Sequence, residues 1–196
     1  MKKSAQLKFE IFKNLSGVGR GFGGAGLKGN PKEKRPFSRK HLIHVIFKSS
    51  RARGANSFLA PRNAKRVNQI IRSVGRKTGV EIRDYVNVGN HLHLLIKTHH
   101  RLCMSRFLRA VGGLLPRLIL GCEKGRPLVE PFWDGRPYSK IVAGGLRSFR
   151  QIQNYFSKNR RQGVWRPESS QRDSPYLQSS HLRSGDLVAG LARAGP

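Results

Sequence analysis

Asp84-Tyr85-Val86-Asn87-Val88-Gly89-Asn90-His91-Leu92-His93-Leu94-Leu95-Ile96-Lys97 is the stretch on which the reading of this chain turns. An alternating run, a Gly-Asn turn and a second run rich in β-formers predict a β-hairpin. His91 and His93 stand two apart on the second run, and side chains alternate across a strand, so both imidazoles leave the same face. That makes a two-point metal clamp on a rigid support. In a chain with seven histidines such a pair also arises as a packed or solvated one, so its meaning depends on what the rest of the chain brings to it.

Outward from the hairpin, His41-Leu42-Ile43-His44-Val45-Ile46-Phe47-Lys48 is a compact β-rich run, with His44 read as a packing or hydrogen-bonding residue. Past a Ser, Arg and Gly linker over 49–57, Val67, Ile70, Ile71 and Val74 recur at helical spacing and predict an amphipathic helix ending near Gly75 to Gly79. Its other side, with Lys65, Arg66, Arg72, Arg76 and Lys77, is most simply solvated. After the hairpin, Met104, Phe107, Leu108, Val111 and Leu115 mark a second helix, weak at Gly112-Gly113 and bent or ended by Pro116. Glu130 to Asp134 then reads as a loop into a fourth strand over Tyr138 to Val142, with Trp133 as core or as a base-stacking platform.

Strand, helix, strand, strand, helix, strand is the α+β, ferredoxin-like split βαβ (βαββαβ) order, an antiparallel sheet with helices on one face. A further helix follows at the C-terminal side. Ser148-Phe149-Arg150-Gln151 has capping-box form, Phe149, Ile152 and Phe156 supply an apolar face, and Gly163 can stop it. Tyr155 and Asn159, four apart, are neighbours on one flank. No acidic residue occurs from 147 to 161.

Composition points to a polyanionic partner. Lys and Arg number 39 against 10 Asp and Glu, a formal charge of +29, and nucleic acid is the commonest partner of such a chain. No window approaches the roughly 18 apolar residues of a membrane span, and no signal-peptide core follows Met1-Lys2-Lys3, so a cytoplasmic protein is expected. Cys103 and Cys122 suit reduced thiols and argue against a structural zinc cluster. Residues 1–40 read as a basic Gly-rich arm, 41–166 as the folded domain and 167–196 as a loose tail. The run Gly17 to Gly26 is expected to hold no regular element, and its G-x-G-x-x-G segment lacks the flanking strand and helix of a nucleotide loop. Lys28, Lys32, Lys34, Arg35, Arg39 and Lys40 around it suit a phosphate-binding arm.

Asn90-His91-Leu92-His93-Leu94-Leu95-Ile96 on a strand, Phe132-Trp133, and Asn154-Tyr155 with Asn159 on a helix together resemble the single-tyrosine HUH transposases of the IS200-like superfamily. The likeness is nearest to the REP-associated tyrosine transposases, where a basic Gly-rich leader is also frequent. It covers about residues 17 to 163. The resemblance implies that His91, His93 and Asn159 ligate a divalent cation and that Tyr155 is the nucleophile of a DNA cleavage leaving a 5′-phosphotyrosine. Two imidazoles alone would suggest zinc, whereas the resemblance points to Mg²⁺ or Mn²⁺. Arg147, Arg150, Lys158, Arg160 and Arg161 around the tyrosine are expected to contact DNA, and Arg147, Arg150, Lys158 or Arg160, together with the metal, to favour the phenolate. The chain has Gly89 and Arg160 at two positions where the family commonly has Pro.

These features favour a metal-dependent enzyme that cuts and rejoins single-stranded or hairpin-bearing DNA, as a monomer or homodimer. A non-catalytic basic DNA- or RNA-binding protein of the same topology is the alternative. The runs 41–48 and 91–97 lack the paired aromatics that RNA-recognition modules stack on bases. A replication-initiating or relaxing nuclease with the same histidine pair is a third reading, and the chain lacks the extra domains usual there.

Overall fold

Leu94, Leu95 and Ile96 follow one another on the histidine-bearing strand, and a strand apolar on both faces belongs in the middle of a sheet. The computed structural model describes residues 21–24, 33–122, 130–143 and 145–163, all within the unit Met1–Trp165. The elements are β1 (Phe22–Gly24), β2 (Leu42–Lys48), α1 (Pro61–Thr78), β3 (Val80–Asn87), β4 (His91–Thr98), α2 (Arg101–Leu120), β5 (Arg136–Val142) and α3 (Gly145–Gln162). The strands form one antiparallel sheet in the order β1-β5-β2-β4-β3. With β1 set aside as an added edge, β2-α1-β3-β4-α2-β5 is the ferredoxin-like βαββαβ unit read from the sequence. No helix among the described residues is long and apolar enough to cross a membrane.

Register sorts the side chains into two cores. β2 and β4 pair as Val45 with Leu94, Ile46 with His93 and Lys48 with His91. Ile43, Val45, Phe47, Leu92, Leu94 and Ile96 therefore share one face, where α1 and α2 cover them with Val67, Ile71, Phe107 and Val111. On the opposite face, Ile152 and Phe156 of α3 pack over Val86 and Leu95. Burying those two α3 side chains contributes about 3–6 kcal/mol, enough to fix the helix against the histidine-bearing surface.

Local chemistry sets the ends of the helices. Pro61 opens α1 at a position that lacks an intrahelical donor partner in any case, and Gly79, with φ of 69°, closes it in the left-handed conformation. Pro116 does not end α2, which runs on to Leu120. A proline cannot donate to the carbonyl four residues back, and the Trp133 indole N–H donates to that Gly112 carbonyl instead, at 2.8 Å. Trp133 is thus partly buried against the core, its ring packed on Phe47, Phe58 and Phe132. Trp133→Phe keeps the ring contacts and strips the carbonyl of its donor; denaturant unfolding is expected to show a loss of about 1–2 kcal/mol.

Two expectations are corrected. α3 begins at Gly145, so Ser148 is a buried residue of its first turn rather than a cap. The positive φ of Gly145 turns the chain into the helix earlier, and Ser148 moves inward with Ile152. The glycine run does hold an element, the edge strand β1. A ladder needs only backbone, and here the close approach needs glycine. A Cβ on Gly21 would meet the Tyr138 hydroxyl at 2.3 Å, and one on Gly23, whose φ is 82°, would meet the Pro137 carbonyl at 2.5 Å. Arg35 ties down the same edge. It donates to Pro137 O at 2.6 Å and Ser139 Oγ at 2.8 Å and lies 4.5 Å over the Phe22 ring. Lys28, Lys32 and the tail 167–196 lie outside the described residues.

Candidate active site

The β3–β4 turn sets the two histidines. Val88 N donates to His91 O at 2.9 Å and Gly89, with φ of 92°, bonds the Asn87 side chain at 3.0 Å. The connection is three residues long, so β4 starts at His91 and both imidazoles emerge on the α3 side. Their ring centres are 5.6 Å apart. From above, α3 brings the Tyr155 ring edge-on to His93, with centres 5.3 Å apart. Asn159 follows one helical turn later, and Gly163 closes the helix by donating to Asn159 O at 2.9 Å. A Cβ at Gly163 would fall 2.5 Å from Asn87 O, so a side chain there would lift the end of α3 off β3. The structure therefore brings His91, His93 and Tyr155 together at one corner of the sheet, with the Asn159 amide bonded to the Tyr155 side chain one turn along α3.

A third histidine joins them. His44 Nε2 lies 3.4 Å from His93 Nδ1, both residues almost fully buried. His91 Nδ1 in turn meets Asn90 Oδ1 at 2.5 Å. Each histidine of the pair thus has its Nδ1 engaged by protein, which leaves Nε2 to face the site. Sequence reading gave His44 a hydrogen-bonding or packing part without its partner. Lys48, in register with His91, and Asp134, 3.7 Å from the Lys48 ammonium, were given no part at all. The signal that would have found His44 and Lys48 is the β2–β4 register, which the sequence of either strand leaves open; Asp134 is placed instead by its contacts with Lys48 and Ser50.

Burial dominates the electrostatics. It lowers the His91 imidazole, with Lys48 pushing the same way and Asp134 opposing, and holds His93 well below its usual value, with His44 and His91 adding to the effect. Both are therefore neutral imidazoles near pH 7, the form that binds metals. Partial burial would raise Asp134, but hydrogen bonds from Ser50 and the nearby Lys48 hold it below the usual carboxylate range. The Tyr155 phenol is raised by burial, with the Asn159 amide acting against the shift. The expectation that neighbouring arginines and lysines favour the phenolate is corrected: desolvation prevails, because those side chains are exposed and Arg160 is paired with Asp84.

Arg147, Arg150, Lys158, Arg160 and Arg161 are all exposed along α3. Arg160 forms an ion pair with Asp84 of β3. Lys34, Arg39 and Lys40 are exposed ahead of β2, whereas Arg35 is half-buried against β5, and with Arg136 nearby its guanidinium falls to about 10.

No three His, Cys, Asp or Glu side chains among the described residues gather into a metal-holding cluster. A divalent cation here would accordingly need a neutral amide to complete the two imidazoles. Asn159 offers one: its Nδ2 is buried without a close hydrogen-bond partner among the described residues, and the two ends of an amide exchange by a simple flip. The donor set fits a cation held by His91, His93 and Asn159.

The buried histidines also set the acid response. Burial, helped by Lys140, lowers His44 to about 3. The unfolded chain takes up the proton near pH 6.5 and the folded chain does not, so stability is full above that pH and falls as pH drops toward 3. By pH 5 the loss from His44 alone is about 2 kcal/mol. Thermal unfolding of His44→Phe is expected to fall less steeply between pH 7 and 5 than that of the parent; parallel curves would show that His44 does not carry this dependence.

The family model described as "Transposase IS200 like" matches residues 38–159, more than half of the chain, and the chain belongs to that family. Among solved structures it is similar to a REP-associated tyrosine transposase bound to a REP hairpin, at 15% identity and a TM-score of 0.52, covering 70% of this chain and 76% of that one. It is also similar, at 20% identity and a TM-score of 0.39, to a Deinococcus radiodurans R1 protein described as a transposase, covering 66% of this chain and 98% of that one. At these identities the likeness is one of fold. Comparison with curated proteins finds no match.

Proposed function

We propose that this IS200-like transposase is a metal-dependent enzyme that cleaves and rejoins single-stranded or hairpin-bearing DNA through a 5′-phosphotyrosine on Tyr155. The observation that carries this reading is the Tyr155 ring against His93 of the same chain, 5.3 Å between centres, with the His91 ring another 5.6 Å along the strand. A similar fold holding a REP hairpin supports DNA as the partner.

His91, His93 and Asn159 would hold Mg²⁺ or Mn²⁺, which when bound neutralises a non-bridging phosphate oxygen and orients the phosphate for in-line attack. The chain's own residues do the rest. Burial keeps the Tyr155 phenol protonated at rest, so the nucleophile is quiet until substrate arrives. On attack the phenol loses its proton, the tyrosine oxygen forms a bond to phosphorus, and the bond from phosphorus to the 3′ oxygen breaks. That oxygen takes up a proton and leaves as a free 3′-hydroxyl. A second 3′-hydroxyl reverses the step onto a new strand without an external energy source. Lys48 stands beside His91 with half its side chain exposed, a cation ready for the phosphate at the same corner. Arg147, Arg150, Lys158 and Arg161 on α3, with Lys34, Arg39 and Lys40, hold the flanking backbone by charge.

Cleavage of single-stranded oligonucleotides copied from the DNA flanking the gene, with Mn²⁺ or Mg²⁺, tests the reading. Nicking that stops in chelator while binding persists is the expected result. Tight binding with no nicking of any flanking strand in either cation would overturn it in favour of a non-catalytic nucleic-acid-binding protein.

A further inference from the structure

His44 and His93 meet in an unusual way for two stacked rings. Their planes are 12° from parallel with centres 5.6 Å apart, yet Nε2 of one lies 3.4 Å from Nδ1 of the other. Rings lying face over face would bring their centres as close as their nearest atoms. These are offset far beyond that, so they meet edge to edge, nitrogen toward nitrogen, as in an N–H···N hydrogen bond. Only one proton can lie between the two nitrogens, so one imidazole donates and the other accepts.

We infer that His44 is a positioning residue for His93: it accepts the Nδ1–H of His93 and so fixes the tautomer and the ring angle that turn Nε2 toward the cation. The inference rests on the metal-dependent reading above and adds to it a residue outside the ligand set. A ligating imidazole that donates its second N–H to a fixed acceptor loses both its tautomer choice and its ring rotation before the ion arrives. His91 shows the same arrangement with a different acceptor, its Nδ1 against Asn90 Oδ1. The acceptor for His93 cannot come from its own turn, because His93 is already inside the β4 ladder. It comes from β2, where the pairing of Ile46 with His93 and of His44 with Leu95 sets His44 two residues along the same face. The surroundings keep His44 in place and uncharged: Phe156 lies edge-on at 5.5 Å, Tyr155 at 6.2 Å, and the Lys140 cation of β5 opposes a second positive charge.

The inference also places the protons. With His93 donating from Nδ1, the proton of His44 sits on its own Nδ1 and its Nε2 lone pair is the acceptor. Phe at position 44 fills the ring's space and removes the acceptor, whereas Gln retains a side-chain carbonyl that can accept.

Two measurements on the full chain test this. Long-range ¹H–¹⁵N spectra of the imidazoles, without metal, are expected to show His93 as a single Nδ1–H tautomer in the parent and as a mixture in His44→Phe. Mn²⁺ titration followed by electron paramagnetic resonance is expected to show affinity about 10- to 100-fold weaker in His44→Phe and largely recovered in His44→Gln. Unchanged tautomer and unchanged Mn²⁺ affinity in a folded His44→Phe would overturn the inference while leaving the metal site intact. A parent protein that binds no Mn²⁺ would overturn the metal reading itself, a distinct result. If His44→Phe does not fold, His44→Gln decides: a retained His93 tautomer supports the role and a mixed one contradicts it.

Discussion

Tyr155→Phe is expected to lower strand cleavage by at least about 10³-fold while leaving DNA affinity and the melting temperature near those of the parent. Removing the phenolic oxygen deletes the atom that would bond to phosphorus. The ring itself remains on the sheet beside Phe156, so packing is preserved. The buried phenol is raised above its ordinary value, so parent cleavage is expected to climb with pH through the neutral range as the phenol more readily gives up its proton. A Tyr155→Phe protein that still cleaves at a tenth of the parent rate would place the nucleophile elsewhere.

His91→Ala is expected to cost about 10²–10⁴-fold in cleavage, the several kcal/mol that cation-assisted charge neutralisation supplies at a phosphate. DNA affinity is expected to change by no more than about threefold, because the exposed cations of α3 and of the segment before β2 are untouched. The salt dependence of binding should be unchanged for the same reason. His91 is the safer of the two histidines to remove, since it is only partly buried whereas His93 is 2% exposed and sits between His44 and α3. Equal losses in binding and cleavage would mean that His91 holds the corner together rather than serving the chemistry.

The parts of this account that were legible in the sequence are those carried by local periodicity. The alternating run of β3, the unbroken runs of β-formers in β2 and β4, the helical spacing of Val67 to Val74 and of Met104 to Leu115, and the turn at Gly89 each encode one element within one short window. The His-x-His pair and the four-residue step from Tyr155 to Asn159 belong to the same kind of signal. What stayed hidden is set by partners distant in the chain. His44 gains its place beside His93 from a register between strands separated by α1 and β3, and Lys48 gains its place beside His91 in the same way. Pro116 reads as a bend or an end of the helix because the sequence does not show that Trp133 will arrive to bond the Gly112 carbonyl. The glycine run reads as structureless because glycine has no side chain to reveal a pattern, while its use lies in how closely β1 approaches Pro137 and Tyr138. Tyr155 illustrates the electrostatic limit: counting nearby cations predicts a lowered phenol, and only the fold shows that the ring is buried while the cations are not.

The most direct test of the central claim is to capture the covalent step. Flanking-strand oligonucleotides labelled at the 3′ end are incubated with the protein and Mn²⁺, run on a denaturing protein gel, and the labelled band digested to locate the modified peptide. Label should travel with the protein, depend on the cation, and map to Tyr155 as a 5′-phosphotyrosine. Nicked product with no label on protein, or label on a peptide that lacks Tyr155, would contradict the account.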